Sequence, residues 1–141
     1  MTPRLVSRLL VALACGVLLV GCKKDAQVDS VLTELDTFTK EMVAKIDSAP
    51  SPSAGVDAAQ AFMDSRKADM QAKLGTLKGL RGFQVSDETK KKMMERMTEN
   101  AMSVAKLKIK YIGAAMRDPA LSGKFDKLNA DYMALIKSMG E

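Results

Sequence analysis

The chain has 141 residues, 47% of them hydrophobic and 4% aromatic, with 22 basic and 17 acidic side chains for a net charge of +5. That length suits one domain once a targeting segment is removed. The lack of histidine removes the commonest general base and metal ligand, and the interspersed charges are unlike the clustered basic footprint of a nucleic-acid binder.

The first 21 residues carry Arg4 and Arg8 and no acid, and an apolar run extends from Leu9 to Val20. A positive start, a short apolar run and a small residue before the cut form a secretory signal. The run is too short to span a bilayer, which takes about 20 apolar residues. Loss of residues 1–21 removes Arg4 and Arg8 from the bases and leaves all 17 acids, so the mature charge is about +3. Cys15 leaves with the signal. Cys22 is then the lone cysteine and closes no internal disulfide. The body therefore depends on its apolar core, and a chain of about 120 residues buries enough surface for that.

Leu19-Val20-Gly21-Cys22 resembles the lipobox of bacterial lipoproteins: an aliphatic residue, a small or β-branched one, a small one, then cysteine. The resemblance covers about residues 1–24. It implies cleavage between Gly21 and Cys22, diacylglycerol on the Cys22 sulfur, and a palmitate-type acyl chain on the new amino terminus. Two or more chains anchor stably where one does not. By resemblance to the sorting rule of enteric bacteria, Lys23 directs such a lipoprotein to the outer membrane, facing the periplasm. An aspartate at that place would retain it in the inner membrane, and Asp25 lies too far along to count. Lys23 and Lys24 set two positive charges beside the headgroups.

A short polar tether is expected over residues 22–27, then a single helical domain over 28–141. The first helix is expected from about Val28 to Ser48. Its apolar residues, Val28, Val31, Leu32, Leu35, Phe38, Met42 and Ile46, recur at three and four. Ala49 to Gly55 contains Pro50 and Pro52 and reads as a stiff connection, with Ser53 or Gly55 capping the next helix. That second helix is expected from Val56 to Lys78, with Val56, Ala59, Met63, Met70, Leu74 and Leu77 as its stripe. Gly75 and Gly79 mark a frayed end or a close helix contact. Leu80 to Val85 is a loop, with Phe83 folded back onto the core.

Ser86 caps the third helix, and Asp87 and Glu88 complement its dipole. The helix is expected to reach Arg117, with Gly113 allowing a bend. Its apolar face is Met93, Met94, Met97, Ala101, Val104, Ala105, Tyr111, Ile112 and Ala115. Asp118-Pro119 restarts the chain as a cap and first helical residue. Leu121, Phe125, Leu128, Tyr132, Leu135, Ile136 and Met139 then line the fourth helix. The fold class is all-α. Four amphipathic helices on short loops predict an up-and-down antiparallel bundle, with a more open helical hairpin arrangement as the alternative.

Nothing in the pattern suggests an enzyme or a bound cofactor. There is no Ser/His/acid set, phosphate-cradling glycine loop or zinc spacing, and acid pairs such as Asp47/Asp57 and Asp126/Asp131 read as solvated surface. Met93, Met94 and Met97 form a cluster whose thioethers suit Cu(I). Core packing explains the same residues better, since methionine fills gaps, and no metal site is expected. Arg66, Lys67 and Lys108 interrupt apolar faces. Their stems either snorkel or rim a face where a protein partner docks.

The expected role is therefore a non-catalytic binding or scaffold lipoprotein, partnered by membrane lipid and by a protein, without nucleic acid. A periplasmic chaperone is the alternative. The chain is similar in composition to small basic periplasmic chaperones, but Leu32-Thr33-Glu34-Leu35-Asp36 has aspartate where their Leu-Thr-x-x-Gln signature has glutamine. A pilotin-like lipoprotein shares the architecture alone, and methionine-based copper handling stands last.

Overall fold

The computed structural model describes residues 22–80 and 84–138, which form helices without strands. They are α1 (Cys22–Asp47), α2 (Pro52–Lys78), α3 (Asp87–Lys110), the single turn α4 (Ile112–Ala115) and α5 (Pro119–Lys137). The expected signal segment, and Phe83 and Met139 with their expected core positions, lie outside the described residues.

Helix α1 opens at Cys22, so the expected tether is instead its first turns. Val28, the seventh residue of the helix, is fully buried. Asp25 sits in the first turn, where it suits the helix dipole, and accepts the Ser86 backbone N–H at 2.9 Å. Helix α2 also starts early. Ser51 caps it by accepting the Ala54 N–H at 3.2 Å, and Pro52 takes the first turn, where its missing donor costs nothing. The cap is thus Ser51 rather than Ser53 or Gly55. Helix α3 ends at Lys110, seven residues before the expected Arg117. The break falls at Tyr111 (φ −105°, ψ 21°), not at Gly113. There the Tyr111 ring stacks on Phe125 at 5.8 Å and its hydroxyl donates to Asp47 at 2.7 Å. These two contacts draw the chain out of the helix. Asp118 then caps α5 through the Ala120 and Leu121 N–H groups.

Around the square the order is α1, α2, α5, α3. Directions alternate along the chain, but α1 and α3 are parallel neighbours. Ser86 meets Asp25, Arg96 meets Asp36 and Lys110 meets Asp47. Helices α2 and α5 are parallel too, through Asp57–Lys124 and Gln60–Asp131. The α2–α3 connection therefore crosses one end of the bundle to the diagonally opposite corner. The expected all-α bundle of helices that alternate in direction along the chain is thus adopted, with two of its neighbouring pairs parallel.

Every expected core residue of α1, α2 and α5 within the described residues is buried. Phe38 is central, stacked on Phe62 at 5.3 Å and on Tyr132 at 6.4 Å. The face of α3 differs from expectation. Val104 and Ala115 are buried, Leu107 and Asn100 join them, and Met94, Ala105 and Ile112 are exposed. Lys108, expected amid the apolar face, lies at its edge and reaches Asp126 at 2.8 Å.

Two glycines separate by environment. A Cβ on Gly55 would stand 2.8 Å from the Ile46 Cα and carbonyl oxygen, so α1 and α2 touch here backbone to backbone. Nothing lies within 4 Å of a Cβ on Gly75, which is therefore no close contact. Gly55→Ala will destabilise the bundle by about 1–3 kcal/mol, whereas Gly75→Ala will stabilise it by up to about 1 kcal/mol. Thermal melts of the pair check this; equal shifts would refute the packing at Gly55.

Candidate functional site

Three places were expected to matter: the cysteine, the methionine cluster and the basic interruptions. Cys22 heads a helix whose burial begins within two turns, at Val28. The same end of the bundle carries the C-terminus of α2, the N-terminus of α3 and the C-terminus of α5. Lys24, Lys78 and Lys137 therefore share it.

The methionines do not converge. Met93 and Met97 pack against the core from its margin, while Met94 is 69% exposed on the outer side of α3. That corrects its expected core position. The helical turn separates neighbours 93 and 94 by about 100°, so the three sulfurs do not line one pocket. Among the described residues, no group of three His, Cys, Asp or Glu side chains is placed to hold a metal ion.

Arg66, Lys67 and Lys108 do not form one face. The first two lie on α2 and Lys108 on α3, at opposite corners. Arg66 stands over the Phe62 ring at 5.7 Å, Lys67 acts on Asp131 of α5, and Lys108 is held by Asp126. The stems follow apolar surface while the charges meet water or acids.

The acid pairs dissolve in the same way. Asp47 takes Lys110 at 2.6 Å and Tyr111, Asp57 takes Lys124 at 2.6 Å, and Asp126 takes Lys108. Asp131 takes Lys127 at 2.6 Å and Gln60. The Lys110 hydrogen bond, then that of Tyr111, holds the Asp47 carboxyl below its usual range. Lys127 does the same for Asp131, against some desolvation. Each of the four carboxylates is ion-paired with a lysine of its own.

A groove of about 390 Å³ runs between the parallel helices α1 and α3, with Thr39, Val43, Ala44 and Ser103 among its walls. Small side chains open it, and cross-helix contacts close its ends: Arg96 and Asn100 on Asp36, Lys110 and Tyr111 on Asp47. At its base Thr39 donates to the Leu35 carbonyl at 2.8 Å, so the Tyr132 hydroxyl is the donor in their 2.5 Å contact. Burial pushes the Tyr132 phenol up to about 12, and the Asp36 charge adds to it.

A phenol whose pKa rises from 10 to about 12 on folding keeps its proton in the folded state after the unfolded chain has lost it. Stability therefore falls as pH climbs from about 10 to 12. Tyr132→Phe will flatten that alkaline limb while lowering stability at neutral pH by about 1–2 kcal/mol. Denaturant melts across the range check it, and an undiminished alkaline slope in the variant would refute the assignment.

Sequence reasoning missed one surface. The outer side of α3 and α4 presents Met94, Met102, Ile109, Ile112 and Met116, all large apolar residues and all exposed. Their spacing is the available signal, but periodicity alone assigns Met94 and Ile112 inward. No protein-family model, curated protein or solved structure matches the chain.

Proposed function

We propose that this chain is a lipoprotein of the bacterial envelope. Acyl chains on Cys22 hold it in the outer membrane, and its helical body faces the periplasm as a non-catalytic binding or scaffold module. The observation that carries this reading is the junction at Cys22. The Leu19-Val20-Gly21-Cys22 motif ends where α1 begins, so the lipid would attach to a helix of the bundle with no spacer between. No helix among the described residues is long and apolar enough to cross a membrane, which agrees with attachment by lipid. The ion-paired carboxylates favour holding over chemistry.

Crosslinking in intact membranes, followed by capture of the protein, tests the binding role. A partner recovered in stoichiometric amount, and lost with Cys22→Ser, is the expected result. Suppression of aggregation of unrelated proteins with no such partner would replace the scaffold with a chaperone.

A further inference from the structure

Helix α3 packs mainly on α1 and α5, and against its own continuation α4. Its inner side places Asn100, Val104 and Leu107 in the core. Its outer side, continued by α4, carries all the large hydrophobic residues that are exposed among the described residues: Met94, Met102, Ile109, Ile112 and Met116. At about 100° per residue the steps of eight and seven keep Met94, Met102 and Ile109 within a sector of about 80° on α3, and past the break at Tyr111 Ile112 and Met116 follow four residues apart. They form one stripe, with Met116 at 78% exposure and Ile109 at 69%.

Charge distinguishes the C-terminal part of this stripe from ordinary surface, whereas Glu95 and Glu99 flank Met94. Residues 100–117 contain no acid and four bases, Lys106, Lys108, Lys110 and Arg117. Lys108 and Lys110 are tied to Asp126 and Asp47, and neither Lys106 nor Arg117 joins an ion pair among the described residues.

We propose that this face binds an anionic lipid surface, with the apolar stripe entering the headgroup boundary and the bases meeting the phosphates. An apolar face flanked by lysine and arginine is the pattern of helices that lie in the interface. A second copy fits less well. The stripe from Met94 to Met116 is about 33 Å long and a helix about 10–12 Å wide, so a pair would bury about 700–800 Å² in all, short of the roughly 1,200 Å² of a stable interface. Facing copies would also bring their acid-free segments together. The lipid contact stands without acylation of Cys22. If Cys22 is acylated as well, the C-terminal part of the stripe lies at the far end of the bundle from it, and the body rests on its side.

The test uses the chain from residue 22 with Cys22→Ser, which keeps the whole buried core from Val28 to Ile136 and leaves the anchor reading untouched. Co-sedimentation is measured with phosphatidylglycerol–phosphatidylethanolamine vesicles and with phosphatidylcholine vesicles. Binding to the first alone is expected, weakening with salt. It should fall about tenfold in Ile109→Gln/Met116→Gln and several-fold in Lys106→Gln/Arg117→Gln, with unchanged melting because all four side chains are exposed. No binding to the anionic vesicles, or binding indifferent to both double variants, would overturn the proposal. So would a dimer in sedimentation velocity that the Ile109→Gln/Met116→Gln variant abolishes.

Discussion

Replacing Phe38 with alanine will cost the bundle about 3–5 kcal/mol, the range for deleting a buried aromatic ring. The ring is 1% exposed and joins three helices, its own α1, α2 through Phe62 and α5 through Tyr132. Its removal leaves a cavity between the three helices, and the cost depends on how far that cavity collapses. Total stability of a domain is about 5–15 kcal/mol, so the loss is a large share and a drop of roughly 10–25 °C in Tm should follow. Phe62→Ala will cost less, because Phe62 is only partly buried. A smaller effect at Phe38 than at Phe62 would contradict the assignment of the core centre.

How far the sequence disclosed this arrangement depends on the helix. On α1, α2 and α5 the apolar residues lie on a single side, and three-and-four spacing has one solution. Helix α3 has apolar residues on two sides, and spacing alone does not say which side a bundle buries. Periodicity therefore draws Met94 and Ile112 inward and passes over Leu107. Neighbour order is hidden for a related reason. The connection after α1 is marked by Pro50 and Pro52 and the one after α2 by Gly82, and neither pattern says which corner the next helix takes. In the structure one shrinks to the Ser51 cap while the other spans a diagonal. The start of α1 is misplaced because a contact from far along the chain favours it, the Ser86 backbone N–H on the Asp25 carboxylate.

Cys22→Ser, supplied with a plain secretory leader so that the apolar run Leu9–Val20 is not retained, will move the protein from the membrane pellet to the soluble fraction after a high-salt wash. Each buried methylene of an acyl chain contributes about 0.8 kcal/mol, and nothing else in the described residues approaches that hold. The contact proposed for α3 and α4 is partly electrostatic, so salt weakens it and separates it from the anchor. The body should melt as before, because its core begins at Val28. A substituted protein that stays with the membrane in high salt would show that something other than Cys22 retains it.

Mass spectrometry of the N-terminal peptide, taken from protein purified out of the membrane fraction, addresses the central claim most directly. The expected result is a chain that starts at Cys22, with diacylglycerol on its sulfur and an acyl chain on its amino group. A chain that starts elsewhere, or a Cys22 with a free thiol, would contradict it.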